Sequence, residues 1–427
     1  MNARTISAVL LSVAITSACF TAGDDRQHEA YPKHLAMTAG DASWKINTPI
    51  VTYWAGPPLT DAVARQMAEG GWNLVWCGEK ELDVAQRHGL RAQLQDGLLA
   101  PGTLDNPGQR AKLDALITRV RNHPALYSYF ITDEPSAAAF PALGKLVAYL
   151  RERDPAHLAY INLFPTYASN EQLGTMGDKI TAYKGHLRQY IDVVKPSLVS
   201  YDHYQLAKGG DSPDYFLNLM MIRRTALEAR VPFLNIVQAC TWTPSMRVPG
   251  PDELRYLLYT TLAYGGQGIS YYVYCHPGHT GAIALADGTP TPLYHALKSL
   301  NREFVAIAKE LQPLRSLAVY HAGMSPPGSE RLPPKSPFRF DPPVAPLAYS
   351  PPERVRGFLI GYFGTDDKPS HVVAVNLDYR AEARVGLAGP GSLEAFDAKS
   401  GAWSMAGGVR LELRLPPGGG KLVRAAR

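Results

Sequence analysis

Short apolar runs alternate with amphipathic stretches from about residue 49 to residue 311 of this 427-residue chain. Apolar runs of this length indicate buried strands, and the stretches between them have the spacing of helices. The alternation predicts βαβ units on a parallel sheet. The eight predicted strands end at Trp54, Gly78, Gln95, Glu134, Pro165, Tyr204, Cys240 and Cys275. The clearest helical stretches between them are Leu113 to Val120, Phe140 to Arg151, Glu253 to Tyr264 and Leu293 to Leu311.

Eight strands that are each followed by a helix close most simply into a (β/α)8 TIM barrel of the α/β class, which needs roughly 250 residues. We assign residues 45–311 to this barrel. The alternative, an open doubly wound sheet, usually carries a Gly-rich phosphate loop after its first strand. Here the first strand ends in YWAGPP, which is not such a loop. The barrel is therefore favoured.

The pattern of the sequence changes after Leu311. Pro residues cluster between Pro326 and Pro352, and the short alternating runs GFLIGYF, HVVAVNL and RLELRL follow, separated by Gly and Asp turns. Alternation of this kind predicts a small all-β domain. We expect a C-terminal β-sandwich over residues 312–427, reached through a Pro-rich connecting loop.

The amino terminus has the layout of a secretory signal peptide over residues 1–22. Arg4 precedes an apolar run from Ile6 to Ile15, and small residues lead to Cys19. The run is too short to span a membrane. The segment TSAC resembles a lipoprotein processing box with a poor first position, so the alternatives are a lipid anchor on Cys19 or plain cleavage just downstream. We expect an exported protein that is periplasmic, a lipoprotein of the outer membrane or cell surface, or secreted.

Composition excludes some classes of partner. The formal net charge is +5 without any run of Lys or Arg, which argues against nucleic acid. Beyond Cys19 the chain has Cys77, Cys240 and Cys275, an odd number for an oxidising compartment. Cys240 and Cys275 end adjacent predicted strands and could pair, but the sequence does not fix their separation. No cysteine or histidine cluster has metal-site spacing, so we expect no metal site, and no cofactor is implied.

The fourth predicted strand ends in SYFITDEP and carries the strongest candidate chemistry. Catalytic groups of such barrels lie at the carboxyl ends of the strands, where this run places Asp133 and Glu134. A carboxyl flanked by aromatic residues and close to a second carboxyl should have a raised pKa, as a general acid requires. Asp133 could instead cap the next helix, an alternative that does not explain Glu134.

The sixth predicted strand ends with a second candidate carboxylate, whereas the seventh ends without one. The sixth ends in SYDHYQ, where Asp202 could orient substrate, act as a base or bond neighbouring backbone, while His203 is expected to be a packing residue. The seventh ends in NIVQACTW and supplies Gln238 but no carboxylate. Glu253 follows this strand, but it fits the acidic first turn of a helix behind Pro251.

Several segments resemble glycoside hydrolases of the large (β/α)8-barrel clan A, in particular family 42 β-galactosidases. The similar segments are YFITDEP, SYDHY, RVPGPDELRYLLYTTLAYGGQGISYYVY and LELRLPPGGGKLVR. The resemblance covers most of residues 45–427. It implies that Glu134 is the acid/base, because that residue holds the place of the Glu that ends strand four in the clan. The preceding residue is usually Asn in the clan and is Asp133 here, and Gln238 stands where the clan has its nucleophilic Glu.

The Asp-Glu pair also resembles the pair in hexosaminidases of families 20 and 123. There the Glu is the acid and the Asp orients the acetamido group of the substrate, which is the nucleophile. If that likeness holds, Asp133 and Glu134 are sufficient for catalysis and no protein nucleophile is needed. A third option is inversion with Asp202 as the base, which requires carboxyl groups roughly 6.5 to 9.5 Å apart.

We therefore expect a glycoside hydrolase acting on an oligo- or polysaccharide, with Glu134 as general acid and Asp133 or Asp202 as its partner. The expected substrate-binding residues are Trp54, Tyr204, Gln238, Trp242 and Tyr274. The alternative is a non-catalytic carbohydrate-binding protein of the surface or periplasm on a barrel scaffold. The missing carboxylate at the seventh strand is what keeps that alternative open.

Overall fold

The computed structural model describes residues 49–405 and 407–426. The predicted signal peptide, with Cys19, lies outside the described residues. Of the helices that are described, none is long and apolar enough to cross a membrane.

A parallel eight-stranded barrel is formed within residues 49–311, which confirms the (β/α)8 prediction. Each observed strand begins and ends within three residues of its predicted run. The strands follow one another around the barrel in the order β1-β8-β7-β6-β5-β4-β3-β2. They are β1 (Ile50–Trp54), β2 (Leu74–Cys77), β3 (Arg91–Leu94), β4 (Leu126–Asp133), β5 (Leu158–Leu163), β6 (Val199–His203), β7 (Phe233–Gln238) and β8 (Gly268–Tyr272).

Two hydrogen bonds between Val51 and Asn73 join the barrel between β1 and β2. The backbone N–H of Asn73 donates to the carbonyl oxygen of Val51 over 3.0 Å. The side-chain oxygen of Asn73 accepts from the backbone N–H of Val51 over 2.8 Å. Asn73 thus satisfies both backbone groups of Val51, and the sheet is nearly closed at this seam.

One main helix follows each strand in the described barrel. Asn106 caps α3 by accepting from two backbone N–H groups, and Pro residues occupy the first turn of α3, α4, α7 and α8, where a missing N–H costs nothing. The helices are α1 (Asp61–Glu69), α2 (Leu82–Arg87), α3 (Pro107–Val120), α4 (Phe140–Arg153), α5 (Lys179–Gln189), α6 (Tyr215–Ala229), α7 (Pro251–Ala263) and α8 (Pro292–Leu311).

Four aromatic rings of the barrel strands pack on one another. Trp54 packs on Trp76 with ring centroids 4.7 Å apart and on Phe130 at 5.8 Å. Tyr160 contacts both Trp76 and Phe130. These four rings come from β1, β2, β4 and β5, and they form an apolar floor.

The described residues after α8 form two antiparallel sheets, which confirms an all-β C-terminal region. The larger sheet has the order β9-β10-β11-β16-β13-β14, and the smaller one joins the short strand Arg339–Phe340 to β12 and β15. The strands are β9 (Arg315–Gly323), β10 (Gly357–Gly364), β11 (His371–Asn376), β12 (Ala383–Ala388), β13 (Leu393–Asp397), β14 (Ala402–Met405), β15 (Arg410–Leu415) and β16 (Gly420–Ala425). One apolar cluster contains residues of both sheets, among them Ile360, Tyr362, Val372, Val385, Leu387 and Leu413.

The larger sheet also packs on the barrel through α7. At Gly361 of β10 the backbones come so close that a Cβ atom would collide with the carbonyl oxygen of Ala263. Leu359, Phe363 and Leu422 of this sheet belong to the same apolar cluster as the barrel core. The barrel and the all-β region therefore share one continuous core.

Candidate active site

Two acidic residues stand where β4 ends. Asp133 is the last residue of the strand and is exposed, while Glu134 is half-buried. The backbone N–H of Glu134 donates to the carbonyl oxygen of Asn162 over 2.9 Å, so the two strand ends remain in register. Glu134 has a φ of 44°, in the left-handed region that non-glycine residues rarely adopt. Strained backbone of this kind is concentrated at functional sites.

The side chain of Asn162 joins two of the three candidate carboxylates. Its Nδ2 atom donates to Oδ1 of Asp133 over 3.0 Å and to Oδ1 of Asp202 over 2.9 Å. Because both oxygens bond the same nitrogen, they are at most about 6 Å apart. Asn162 therefore brings the ends of β4 and β6 together at the end of β5.

A chain of hydroxyl groups fixes the orientation of this amide. Oγ of Ser200 donates to Oδ1 of Asn162 over 2.9 Å, and the hydroxyl of Tyr160 lies 2.8 Å from Oγ of Ser200. With its oxygen engaged in this way, the amide turns its N–H groups toward the carboxylates. The orientation does not depend on a ligand.

The three carboxyl groups affect one another's protonation. Burial raises the pKa of Glu134 far above its usual range, and the charges of Asp202 and Asp133 and a hydrogen bond with Asp202 raise it further. Burial and the charge of Asp133 raise the pKa of Asp202, which is 4% exposed, against hydrogen bonds from Asn162 and Glu134 that lower it. Although Asp133 keeps contact with solvent, the protein atoms around its carboxyl group remove part of its hydration and raise its pKa to about 6, while the Asn162 bond lowers it. Glu134 thus holds its proton most tightly of the three.

Three aromatic rings contact one another where β6, β7 and β8 end. The ring centroids of Tyr204 and Trp242 are 4.9 Å apart, and Tyr272 lies 5.0 Å from Tyr204 and 4.8 Å from Trp242. His279 lies 3.2 Å from the hydroxyl of Tyr272 through Nε2. The hydroxyls of Tyr204 and Tyr272 are close enough to Asp202 for the charges to interact. We call Tyr204, Trp242 and Tyr272 the aromatic wall.

The other two aromatic residues that we predicted to bind substrate, Trp54 and Tyr274, differ in position. Trp54 ends β1 beside its register partner Tyr272, is half-buried, and belongs to the apolar floor. Tyr274 is 1% exposed, packs on Tyr53 and Trp72, and accepts a hydrogen bond from Gln66, so it offers no free face to a sugar. Their binding roles remain predictions, and we leave Tyr274 out of the aromatic wall.

The hydrogen-bond partners of Gln238 and Asp133 can be compared with the roles expected from the sequence, which were substrate binding for Gln238 and, as an alternative, helix capping for Asp133. Gln238 is fully buried, and its carboxamide bonds only backbone groups. Asp133 does not cap α4, because a 3-10 turn over Ala137–Ala139 precedes that helix and neither the turn nor the helix has a side-chain cap. The helix-cap alternative for Asp133 is therefore wrong, and its carboxylate bonds Asn162 instead.

Sequence reasoning missed two residues of the site. Asn162 stands in the apolar run LAYINLFP, where a lone amide near a strand end was the available signal. Tyr167 lies in the loop after β5, is 43% exposed, and accepts a hydrogen bond from the backbone N–H of Tyr204 over 3.4 Å. Nothing in its local sequence distinguishes Tyr167 from other loop tyrosines.

The remaining titratable groups do not suggest a metal centre. In residues 49–405 and 407–426, no group of three His, Cys, Asp or Glu side chains is arranged to hold an ion. The described cysteines Cys77, Cys240 and Cys275 are free thiols, so the pairing of Cys240 with Cys275 that the sequence allowed is not formed.

Comparison with known proteins gives distant structural likenesses. No protein-family model and no curated protein matches the chain by sequence. A GH27 β-L-arabinopyranosidase from Geobacillus stearothermophilus is similar over 90% of this chain and 97% of its own, with a TM-score of 0.49 and 9% identity. An exo-β-1,4-mannosidase from Opitutaceae bacterium strain TAV5 is similar over 63% of this chain and 62% of its own, with a TM-score of 0.44 and 14% identity.

A β-galactosidase from the psychrophilic Marinomonas ef1 has a TM-score of 0.44 and 13% identity over 65% of this chain. The chain spans 63% of the length of that galactosidase, which is less than two thirds. The three structures are glycoside hydrolases by name. Likenesses this distant do not assign a function, which has to be argued from the site.

Proposed function

We propose that the protein is a glycoside hydrolase in which Glu134 is the general acid. The observation that carries this proposal is the raised pKa of Glu134, caused by burial and by Asp202 and Asp133, at the carboxyl end of a barrel strand. A carboxyl group that keeps its proton near neutral pH can protonate the oxygen of a leaving group. The aromatic wall beside it supplies flat apolar faces on which a sugar ring can stack.

Asp202 is poorly placed to be the second catalytic carboxylate of a two-carboxylate mechanism. Such mechanisms separate the two carboxyl groups by roughly 5 to 5.5 Å for retention or 6.5 to 9.5 Å for inversion. Asp202 raises the pKa of Glu134 by its charge and by a hydrogen bond, so we infer that the two carboxyl groups are direct neighbours with no room for a water molecule between them. The end of β7 offers Gln238 instead of a carboxylate. We therefore assign Asp202 to raising the pKa of Glu134.

Asp133 is the better partner, which favours participation of the substrate itself. Its Oδ1 atom is held by Asn162, and its Oδ2 atom accepts no hydrogen bond from the described residues. That free oxygen can accept the N–H of a 2-acetamido group. The acetamido oxygen then attacks the anomeric carbon while the glycosidic bond breaks and its oxygen takes the proton of Glu134. In the second step Glu134 removes a proton from water, whose oxygen attacks the anomeric carbon. The bond between that carbon and the acetamido oxygen breaks, which opens the oxazoline ring and restores the acetamido group.

The proposal is tested with aryl glycosides of both anomeric configurations, comparing N-acetylhexosaminides with the corresponding hexosides. We expect hydrolysis of an N-acetylhexosaminide, and about 10²–10⁴-fold slower turnover in Glu134→Gln. The matched control is Glu152→Gln, the same change at an exposed residue near the end of α4, which should leave the rate unchanged. Sugar binding by the wild-type protein without hydrolysis would instead support the carbohydrate-binding alternative.

A further inference from the structure

The carboxamide of Gln238 links the loops that follow β6 and β7. Its Oε1 atom accepts the backbone N–H of Leu206 over 2.9 Å. Its Nε2 atom donates to the carbonyl oxygen of Leu206 over 3.2 Å and to that of Arg247 over 2.7 Å. All three bonds are made by the side chain of Gln238, which is fully buried, so an unmade hydrogen bond there is costly.

The two loops also pair directly with each other. The backbone N–H of Arg247 donates to the carbonyl oxygen of Leu206 over 3.1 Å, and that of Lys208 donates to Ser245 over 2.8 Å. Leu206 follows Tyr204 by two residues, and Arg247 closes the loop that carries Trp242. The backbone groups that Gln238 bonds thus stand two residues after Tyr204 and five residues after Trp242 in the chain, and the rings of those two residues contact each other.

We infer that Gln238 is a positioning residue, which fixes the separation of Tyr204 and Trp242 and thereby the binding of the sugar. This inference rests on the proposed function, since it concerns how that substrate is held. Gln238 itself contacts backbone groups and acts only through the two rings.

The chemistry of the bonded groups explains why an amide stands at this strand end. Gln238 accepts one hydrogen bond and donates two, as only a carboxamide of this length can do. An ionised carboxylate is an acceptor only, so it would face the carbonyl oxygens of Leu206 and Arg247 without a donor. The carboxamide of Gln238 is thus suited to holding the two loops, and as a neutral amide it is not suited to attack the anomeric carbon of a sugar.

The test compares Gln238→Glu with Asn235→Asp. Asn235 lies on the same strand, is also fully buried, and donates to Thr261 of α7 instead of to the loops. Both variants put a carboxyl group into a buried site of β7, so they share the general cost of doing so. Only Gln238→Glu removes the donors that hold Leu206 and Arg247.

Two readouts are measured on the full-length variants: hydrogen exchange of the segments 205–214 and 240–248, and kcat and KM on the aryl glycoside that the wild-type protein cleaves. We expect at least about tenfold faster exchange and about tenfold higher KM in Gln238→Glu, with a smaller change in kcat. Asn235→Asp should lower the Tm but leave KM and the exchange of these segments unchanged.

Equal exchange and equal KM in the two variants would overturn the inference. If the wild-type protein cleaves no glycoside, the proposed function fails by itself. Exchange then decides whether Gln238 holds the loops: faster exchange confined to Gln238→Glu keeps that role, and unchanged exchange removes it.

Discussion

The acidic residues of the site lower the stability of the folded protein at neutral pH. Burial raises the pKa values of Asp133, Glu134 and Asp202 above those of the unfolded chain, and the charges of neighbouring carboxyl groups add to the rise for Glu134 and Asp202. A group with a raised carboxyl pKa binds more protons in the folded state than in the unfolded state. The free energy of unfolding therefore falls as the pH rises from about 4 toward the folded pKa values.

Replacing Asp202 should relieve part of this cost. The folded pKa of Asp202 is about 7, so Asp202→Asn should raise the Tm by roughly 2–5 °C at pH 8 and have little effect at pH 4. Thermal unfolding at the two pH values measures the difference. Asp61→Asn is the control of opposite sign, because Arg87 lowers the pKa of the exposed Asp61. The change in Tm that Asp202→Asn causes should be more positive at pH 8 than at pH 4. An equal or a more negative change at pH 8 would contradict the assigned pKa of Asp202.

How far single site residues can be predicted depends on the signal each one carries. Asp133 and Glu134 could be found because acidic residues at a strand end conflict with the apolar run before them. Tyr274, by contrast, lies outside the aromatic wall, since it follows β8 by two residues and its backbone N–H donates to the carbonyl oxygens of Trp54 and Ala55 in a turn. Such a turn depends on a strand distant in the sequence, so local pattern does not report it.

At the scale of elements, apolar runs determined the eight barrel strands because both faces of a parallel barrel strand are covered. Other features arise from contacts between elements. The short strands Leu206–Ala207 and Gly210–Asp211 pair with each other, and Ala207 also forms a bridge with Met246. Asp211 bonds the hydroxyl of Tyr379 over 2.8 Å, so a loop of the barrel is joined to the all-β region. Neither the short strand pair nor the Asp211–Tyr379 bond is indicated by a repeating pattern of apolar and polar residues in the sequence.

The packing of β10 on α7 predicts the effect of one substitution. Gly361→Ala should lower the free energy of unfolding by about 1–3 kcal/mol, because its Cβ would collide with backbone at Ala263. Gly391→Ala is the control, since a Cβ there meets no atom within 4 Å. Urea unfolding followed by circular dichroism measures both. Equal stability of the two variants would show that β10 does not pack as closely as described.

For the whole molecule, the continuous core explains why a change of sequence pattern after Leu311 does not mark two separable bodies. Residues of the larger β-sheet and of the barrel belong to one apolar cluster. The composition shift correctly indicated a change of architecture. It could not reveal the shared core, because the apolar side chains of β10 and α7 meet only in the folded chain.

The most direct test of the account is how the rate depends on the leaving group. A general acid matters most when the departing phenol is weakly acidic. We predict that Glu134→Gln lowers kcat/KM about 10³-fold for a phenyl glycoside of the preferred sugar, but less than about tenfold for its 2,4-dinitrophenyl counterpart. Equal losses for the two substrates, or no loss for either, would contradict the assignment of Glu134 as the general acid.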